Sequence, residues 1–586
     1  MGYLSEDVIS SRKKNLQSAP PSPARYEASR WRDPLVITGC LVGMGILLLW
    51  LSIPWDAKLA WFTHPIRFER VGQVPAETVA GVTLLSYLAP LTAIAWLAAP
   101  WILRRLERSP SVRSPLGVLP TPSGGIRLAV LALTIIAIVP RAMRMGESLW
   151  YDEIAAMLSF SIHGPGPALG NYYALSNHVL HSALASVMVE ANGGADEFIL
   201  RTPAFLAGIA CVPAMFMLGR TVDGDRFGVL AAAVIALMPV AVLESANARG
   251  YSMMMLFTIL ATWQVLRIAD GRRSGPFWYA LAVTLGCWSH LAFAFVPLGH
   301  AVLALSWLAR KHRRASGWRL SAALLLGGIS TLLVVSPILP DLIGLRREFA
   351  ASDGNEPSLF GVEGQQALLQ LGGSWFWWAA LPGILIAAVG ITESSRWPRL
   401  RIATIAAAAG LFVTFTLLFA GGGWVYARFL LFLVPVATLL IAAGIRGLAY
   451  LPNRPGPAII AATLLACCWL TDLTTRAERQ PIRKAVDHLI ASTPPGTSVW
   501  SIGLGDDVAD YYASGRDLTL HSVSGLGVGL DSETLLRGPD HVLMLYPDLV
   551  TADVRDLLAN SGFTENARFP GWQDWGQGDV LILDRD

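Results

Sequence analysis

Apolar runs about twenty residues long recur along most of the 586-residue chain. A helix needs about 20 mostly apolar residues to cross the hydrocarbon core of a bilayer. Segments that meet this requirement lie at 34–54, 77–102, 125–144, 198–218, 228–244, 251–268, 318–338, 373–392, 402–420, 427–448 and 457–473. The stretch 277–309 is long enough for two more spans, separated by the polar pair Ser289 and His290. The sequence therefore predicts a polytopic α-helical membrane protein with about thirteen transmembrane helices.

The composition agrees with an integral membrane protein. Hydrophobic side chains make up 53% of the chain and charged side chains only 15%, and the mean hydropathy is +0.49. A soluble protein carries more charge than this. The net charge of +3 gives no basic face for a phosphate backbone, so we exclude nucleic acid as a partner and expect membrane lipids instead. The five cysteines lie in apolar runs without metal-ligand or disulfide spacing.

The basic residues predict how the chain is oriented in the membrane. Short loops rich in Lys and Arg stay on the cytoplasmic side. With the N-terminus inside, this rule is satisfied at every inner loop, by Arg12, Lys13, Lys14, Arg30, Arg32, Arg104, Arg105, Arg108, Arg220, Arg226, Arg267, Arg272, Arg273, Arg310, Lys311, Arg313, Arg314, Arg396, Arg399 and Arg401. The outer side then receives 145–197, 244–250, 339–372, 421–426 and the tail after about 475. We expect a multi-pass protein of the plasma or inner membrane.

The charge distribution divides the chain into four predicted parts. These are a disordered cytoplasmic N-terminus (1–33), two additional transmembrane helices (34–124), a transmembrane catalytic core (125–475) and a soluble extracytoplasmic domain (476–586). Within the core, 153–162 and 172–190 have apolar residues at helical spacing, which predicts amphipathic segments in the membrane interface. The tail alternates a helix-like stretch with strand-like stretches, which predicts a small α/β domain; they lie at 481–492, 498–503, 517–522, 541–546 and 579–583.

The first predicted outer loop opens with two aromatic residues followed by two carboxylates. Trp150, Tyr151, Asp152 and Glu153 come directly after a span. Asp152 would serve as a general base at the bilayer surface, where desolvation raises the basicity of a carboxylate. The structural alternative is that Asp152 caps the helix that follows while the two rings belong to the aromatic belt of the membrane interface.

Five motifs follow one another at the predicted outer face. They are Trp150-Tyr151-Asp152-Glu153, Ser176-Asn177-His178, Phe198-Ile199-Leu200-Arg201-Thr202-Pro203-Ala204, Ala248-Arg249-Gly250-Tyr251-Ser252 and Tyr426-Ala427-Arg428-Phe429-Leu430. In this order they resemble the GT-C superfamily of polytopic glycosyltransferases, in particular the branch of protein O-mannosyltransferases and lipid A aminoarabinose transferases. The resemblance covers roughly residues 125–475.

The resemblance implies a GT-C-like fold and a sugar donor linked to a polyprenyl phosphate, with a glycan, lipid or protein as the acceptor. It implies that Asp152 is the catalytic base, with Glu153 beside it. Many relatives have a His-Pro-Pro run in the first loop, whereas this chain has Asn177 and His178 followed by Val179 and Leu180. The resemblance therefore does not predict which donor sugar and which acceptor the protein uses. The two spans before residue 125 are an addition to the usual core.

Arginines in short outer loops are the candidate ligands of the donor phosphate. The leaving group of a polyprenyl-phosphate sugar is already good, so the reaction mainly needs a base and cations. Arg249 lies between two spans and can bind a phosphate through its planar fork. Arg428 follows the glycine-rich stretch 421–426, which we expect to be a flexible outer loop. The alternative for Arg249 is an interfacial anchor that snorkels to the headgroups.

The remaining polar and aromatic motif residues are expected to bind substrate: Tyr151, Asn177, His178, Arg201, Tyr251, His290 and Tyr426. For two of them a structural role competes. Arg201 would pair with Asp196 or Glu197 at the start of its own helix, and His290 would be a hydrogen-bonded packing residue. No cofactor is clearly indicated. A divalent metal stays open, although its ligands would have to come from separate segments.

Two other classes of function compete with the glycosyltransferase. A transporter or lipid flippase would also have many spans and polar residues within the membrane. Transporters typically show duplicated halves with interrupted helices, and this sequence shows neither a duplication nor a nucleotide-binding motif. The second alternative is a scaffold without catalytic activity whose tail binds partners.

Overall fold

The computed structural model describes residues 34–107, 120–272, 274–351, 362–421, 426–449, 455–503, 505, 508–523, 535, 537–573 and 578–585. The predicted disordered segment 1–33 and residues 422–425 of the predicted glycine-rich loop lie outside these ranges. All further statements about structure concern the described residues.

A bundle of long apolar helices forms most of the molecule. Its helices are Pro34–Ser52, Ala76–Glu107, Gly124–Ala142, Glu197–Leu237, Pro239–Ser245, Tyr251–Ala269, Gly275–Ser289, Phe295–Leu308, Arg314–Val335, Leu339–Ala351, Val362–Leu371, Trp377–Ser394, Pro398–Gly421, Val434–Ala449 and Gly456–Thr475. Ten helices in the described part of the chain are long and apolar enough to cross a membrane, or eleven with the bent pair at 37–62. The protein is therefore a polytopic membrane protein, as predicted.

The expected number of thirteen spans is not confirmed by this count, and two local features account for the difference. Gly275–Ser289 has 15 residues, fewer than a full span requires. Glu197–Leu237 is one element of 41 residues, but its backbone breaks at Asp223 and at Gly224, which has φ +83°. A Cβ on Gly228 would lie 2.7 Å from the backbone oxygen of Phe216. Such an approach means that the element folds back on itself as a tight hairpin.

Loops from distant parts of the sequence meet at the two ends of the bundle. At one end, Arg399 donates hydrogen bonds to the backbone of Thr221 (2.6 Å) and to Asp270 (2.6 Å), which joins three of the basic loops. At the other end lie residues 143–196, 246–250 and 426–428, and we call this the loop end. The predicted break at Ser289 and His290 also lies there, between Gly275–Ser289 and the short 3₁₀ helix Leu291–Ala294.

Short helices cover the loop end. They are Trp55–Phe62, Pro65–Val71, Tyr151–Ser159, Pro165–Gly170 and Val179–Asn192, with 3₁₀ turns at Ser161–His163, Ser336–Ile338 and Ala427–Leu433. The additional N-terminal helices contribute to this layer, because Arg67 donates hydrogen bonds to Asn171 (2.9 Å) and Asp341 (3.0 Å). They are thus integrated with the loop that carries the candidate site.

The C-terminal region is a small α/β domain, as predicted. Its strands are β1 (Thr497–Gly503), β2 (Leu518–Ser522), β3 (His541–Leu545), β4 (Phe563–Phe569) and β5 (Val580–Arg585), in the sheet order β2-β1-β3-β5-β4. β1 is parallel to β2 and β3, while β5 is antiparallel to β3 and β4. The helices are Ile482–Ser492, Asp510–Ala513 and Ala552–Asn560, with a 3₁₀ turn at Pro547–Leu549.

The soluble domain packs directly on the loop end. One hydrophobic cluster contains Leu149 and Ile154 of the first loop together with Ile482, Val486 and Leu543 of the domain. Helix Ile482–Ser492 begins seven residues after the last bundle helix ends at Thr475. Because the connection is short and the shared core is apolar, the domain is held against the bundle rather than tethered at a distance.

Candidate active site

Three segments of the loop end bring the candidate site residues together. The helix Tyr151–Ser159 carries Asp152, the turn 246–250 carries Arg249, and the 3₁₀ turn Ala427–Leu433 carries Arg428. The turn approaches the bundle closely, since a Cβ on Gly250 would lie 2.1 Å from the backbone oxygen of Ser289. Only glycine fits there, so the backbone of Gly250 fixes the position of Arg249 beside it.

Asp152 lies between two guanidinium groups. Its Oδ2 atom is 3.5 Å from Nη2 of Arg249 and 3.4 Å from Nη2 of Arg428. Arg249 also donates a hydrogen bond to the backbone oxygen of Asp152 at 3.1 Å. The side chains of Asp152 and Arg428 are each 17% exposed, whereas that of Arg249 is 5% exposed. We call these three residues the Asp152 cluster; its carboxylate is accessible and its ion pairs are long.

The structural alternative for Asp152 does not hold. The helix begins at Tyr151, and Trp150 occupies the N-cap position. The carboxylate that accepts a hydrogen bond from the N-cap backbone belongs to Glu153, whose Oε2 lies 3.2 Å from the Trp150 nitrogen. Asp152 instead sits in the first helical turn, where the helix dipole favours a negative charge.

Glu153 forms a separate, sealed cluster with Arg201. Nε and Nη2 of Arg201 donate hydrogen bonds to Glu153 at 2.9 and 2.6 Å, and the Ala248 nitrogen donates at 2.5 Å. The other Arg201 donors bind backbone oxygens of Arg144, Met145, Glu147 and Ser148. Both side chains are at most 1% exposed. We call this pair the Glu153 cluster.

This geometry corrects one expectation. Arg201 does not pair with the carboxylates of its own helix: Asp196 accepts from the Ile199 nitrogen (2.8 Å) and Glu197 accepts from Arg483 (2.7 Å). Arg201 was also expected to bind substrate, and Glu153 to act beside Asp152. Neither side chain faces outward, because each is buried and saturated with hydrogen bonds within the protein.

Arg428 lies on a platform of two aromatic rings. Its guanidinium carbon is 4.5 Å from the ring centre of Tyr426 and 5.4 Å from that of Trp150. Such cation–π contacts attract a guanidinium to the face of an aromatic ring. Tyr426 therefore lies next to the Asp152 cluster, in contact with Arg428.

His178, Tyr251 and His290 form an aromatic cluster beside Arg249. The rings of His178 and His290 are 4.5 Å apart, and each lies 5.0 Å from the ring of Tyr251. Gly250 donates its N–H to Nδ1 of His178 at 2.9 Å, so the ring proton is on Nε2. Burial, followed by the charge of Arg249, lowers the pKa of His178 well below its usual value. His178 is neutral at physiological pH.

The other two candidates lie at the edges of the site. Asn177 is buried and donates hydrogen bonds to the backbone oxygens of Ala168 (3.0 Å) and Asn171 (2.7 Å). The ring of Tyr151 packs on Gly505 of the soluble domain, and its backbone nitrogen donates to Gln480 at 3.0 Å. In the described residues, Asn177 therefore stabilises the first loop and Tyr151 contacts the domain. His290 is a hydrogen-bonded residue, because its Nδ1 accepts from the Ala292 nitrogen (3.0 Å), and its ring also belongs to the aromatic cluster.

Within the described ranges there is no group of three or more His, Cys, Asp or Glu side chains placed to hold a metal. The site contains one accessible carboxylate, two guanidiniums and a group of aromatic side chains. Sequence reasoning missed Glu244, Asn247, Arg479 and Gln480, which support the site from the segment 244–250 and from the segment before the C-terminal domain. Glu244 and Asn247 could have been found from the sequence, because 244–250 is a polar segment between two spans.

These features define a polytopic membrane protein with a carboxylate–arginine site at one end of the bundle, under a soluble domain. The family model described as dolichyl-phosphate-mannose-protein mannosyltransferase matches residues 179–340. The match includes Arg201, Arg249, Tyr251 and His290 and begins after Asp152. It confirms the resemblance to GT-C glycosyltransferases that the motifs predicted. No curated protein matches the chain.

Several solved structures are similar to this chain, among them the following three. ArnT from Cupriavidus metallidurans in the apo state has 14% identity and a TM-score of 0.49, and the alignment covers 78% of this chain and 97% of ArnT. The Archaeoglobus fulgidus oligosaccharyltransferase has 12% identity and a TM-score of 0.41, with 72% and 69% covered. Arabinosyltransferase EmbB from Mycobacterium smegmatis has 15% identity and a TM-score of 0.39, with 70% and 36% covered.

Proposed function

We propose that the protein is a membrane glycosyltransferase that transfers a sugar from a polyprenyl-phosphate donor to an acceptor hydroxyl, with Asp152 as the general base. The observation that carries the proposal is the position of one accessible carboxylate between two arginines at the end of a membrane bundle. The family model over residues 179–340, described by a dolichyl-phosphate-mannose donor, supports this class of reaction.

The Asp152 cluster contains the groups that the reaction requires. The acceptor oxygen attacks the anomeric carbon and passes its proton to Asp152, while the bond from that carbon to the phosphate oxygen breaks. The electron pair stays on the phosphate, whose charge Arg249 and Arg428 stabilise. Before the donor binds, both guanidiniums lie beside Asp152 at 3.4 to 3.5 Å. A phosphate that engages them leaves the carboxylate available to the acceptor.

We assign supporting roles to the other candidates. His178, Tyr251 and His290 line the substrate side of Arg249, where neutral polar groups can contact a sugar, and Tyr426 orients Arg428. Glu153 and Arg201 hold the backbone of the first loop and do not touch substrate, because they are sealed. Asn177 and Tyr151 fix the two flanks of that loop.

We also propose an orientation and a division of the chain. The loop end and the soluble domain (476–586) face the extracytoplasmic side of the plasma or inner membrane, the N-terminus faces the cytoplasm, 34–124 form an added pair of helices, and 125–475 form the catalytic core. The basic loops joined by Arg399 support this assignment, since they meet at the end of the bundle opposite Asp152.

The transfer reaction is tested with purified protein in lipid vesicles. A panel of polyprenyl-phosphate-linked hexoses and pentoses is supplied with cell-envelope extract as the acceptor, and release of polyprenyl phosphate is measured. We expect release from at least one donor by the wild type and at least about 100-fold slower release by Asp152→Asn. Equal release by both proteins would contradict the assignment of Asp152.

The orientation is tested by labelling single cysteines in a background without the natural five. Ser514→Cys lies in the soluble domain and Arg272→Cys in a basic loop, and both positions are exposed. A membrane-impermeant maleimide added to intact cells should label position 514 and leave position 272 unlabelled. The reverse pattern would overturn the orientation.

A further inference from the structure

A continuous line of buried hydrogen bonds connects the soluble domain to the Asp152 cluster. Its members are Gln573, Arg479, Glu244, Asn247 and Trp150. Arg479 donates to Gln573 Oε1 (3.0 Å) and to Glu244 Oε1 (3.0 Å). Asn247 then donates to Glu244 Oε2 (2.7 Å), and its own Oδ1 accepts from the indole nitrogen of Trp150 (3.1 Å).

The direction of these hydrogen bonds is fixed at every step. The carboxylate of Glu244 only accepts, so it binds the amide nitrogen of Asn247 and turns the amide oxygen towards the Trp150 indole. All five side chains are buried: Asn247 is 0%, Trp150 1% and Glu244 2% exposed. A buried polar network of this kind specifies one arrangement when all its members are satisfied, and loses it when one is removed.

The line ends at the aromatic platform under Arg428. The indole that Asn247 holds is one of the two rings that contact the Arg428 guanidinium, and Arg428 reaches Asp152 at 3.4 Å. Arg479 itself lies between aromatic rings, 4.6 Å from the ring centre of Trp572 and 5.9 Å from that of Trp150. The indole is therefore fixed both at its nitrogen and from the side of the domain.

We propose that Arg479, Glu244 and Asn247 are positioning residues, which hold the Trp150 indole and thereby place the Arg428 guanidinium for the donor phosphate. The soluble domain takes part through Gln573, so it is a component of the donor site and not only an appendage. This inference rests on the proposed function of Arg428 as a phosphate ligand.

The same junction contains a matched pair that, among the described residues, makes no hydrogen bond to a member of this line. Arg476 donates hydrogen bonds to Asp472 from Nε (3.0 Å) and from Nη2 (2.6 and 2.7 Å), and Ser374 donates to Asp472 at 2.6 Å. Both side chains are 0% exposed. Arg476 also packs on Trp572, at 4.8 Å from its ring centre. Asp472→Asn therefore disturbs a buried arginine–carboxylate pair of the same kind without touching Asn247 or Trp150.

The experiment compares Glu244→Gln with Asp472→Asn in the full-length protein in vesicles. Four quantities are measured: the Kd for polyprenyl phosphate without a sugar, the KM and the kcat for the active donor, and the Tm. Glu244→Gln should raise the Kd and the KM by roughly three- to thirtyfold, the range expected for one cation–π contact, with kcat changed much less. Asp472→Asn should lower the Tm while leaving Kd and KM at wild-type values.

A second variant covers the case in which Glu244→Gln fails to fold. Trp150→Phe keeps an aromatic ring and leaves the Glu244–Arg479 pair intact, but it removes the indole nitrogen that Asn247 holds. It should raise the Kd in the same way. Wild-type Kd and KM in Trp150→Phe, and in Glu244→Gln where that folds, would overturn the inference. If Arg428→Lys also binds polyprenyl phosphate like the wild type, the proposed phosphate site is wrong as well, which separates the two failures.

Discussion

The Glu153 cluster and the Asp152 cluster contain the same chemical groups and differ in how completely the protein satisfies them. In the Glu153 cluster, carboxylate and guanidinium meet at 2.6 and 2.9 Å and are at most 1% exposed. In the Asp152 cluster, the contacts are 3.4 and 3.5 Å and the carboxylate is 17% exposed. The two carboxylates are consecutive in the sequence. Their opposite surroundings come from helix geometry, which points neighbouring side chains in different directions.

The difference distinguishes side chains that stabilise the structure from side chains that can contact a substrate. A buried ion pair whose donors are all used has no donor left for a ligand. Removing one partner of such a pair leaves an uncompensated buried charge. A carboxylate with long contacts and some exposure can exchange its partners for those of a substrate. The same residue types therefore serve stability in one cluster and, as we propose, catalysis in the other.

Arg201→Met should produce the largest effect because it leaves Glu153 buried without its partner. We expect a loss of about 3 to 5 kcal/mol in the free energy of unfolding, or failure to accumulate folded protein. The measurement is the Tm and the yield of monodisperse protein in detergent. The matched control is Arg249→Met, in the Asp152 cluster, which should remain folded. Equal Tm values for both variants would remove the distinction between the clusters.

Asp152→Asn should give the next largest effect, on transfer and not on stability. The amide keeps the size of the side chain but cannot take up the proton of the acceptor hydroxyl. The rate of sugar transfer should therefore fall by about 100-fold or more. The Tm should stay close to that of the wild type, because the ion pairs of Asp152 are long and partly exposed. A large loss of Tm with normal transfer by the remaining folded protein would reverse the roles assigned to the two clusters.

Arg249→Lys should have an intermediate effect that appears in donor binding. Lysine keeps the charge and loses the planar fork, so we expect the KM for the donor to rise about tenfold. Arg249→Ala should be worse. The measurement is the transfer rate against donor concentration for the wild type and both variants. Unchanged curves would show that Arg249 is only an interfacial anchor.

His178→Gln should show the smallest effect, and only in acid. The pKa of buried His178 is lowered well below its usual value, so the unfolded chain binds a proton that the folded protein does not. Stability from this source is complete above about pH 6.5 and falls by about 1.4 kcal/mol for each pH unit below it. The Tm of His178→Gln should therefore drop less than that of the wild type between pH 6.5 and 5.5. Parallel Tm curves would contradict a neutral His178.

The fold was largely predictable because the apolar runs and the turn residues are local signals. The predicted stretches 498–503 and 541–546 correspond to β1 (Thr497–Gly503) and β3 (His541–Leu545). Strand β4 (Phe563–Phe569) was missed, together with the helix Ala552–Asn560 before it. β4 lies at the edge of the sheet, and most of its residues are exposed or only half-buried. An edge strand with so little buried surface has a weak hydrophobic pattern.

The sequence predicted which residues belong to the candidate site, but not which side chains pair with one another. Asp152, Arg249 and Arg428 were selected individually, and the structure brings them together. The partner of Arg201 was missed because Glu153 is 48 residues away in the sequence, whereas Asp196 and Glu197 are its neighbours. Which of two consecutive carboxylates is sealed depends on packing across several loops. The sequence alone holds no local signal for such a choice.

Arg144, at the start of the first loop, has a consequence for biosynthesis. It donates hydrogen bonds to the backbone oxygens of Leu473 (2.7 Å), Arg476 (3.2 Å) and Ala477 (3.2 Å), the last of these 333 residues further along the chain. At about 5 to 20 residues per second, a ribosome needs roughly 15 to 70 seconds to make the intervening chain. During that time the backbone oxygens that accept hydrogen bonds from Arg144 have not yet been synthesised. The loop that carries Asp152 is thus among the first parts of the protein to be made and among the last to be completed, and a chain terminated before residue 473 would leave it unfinished.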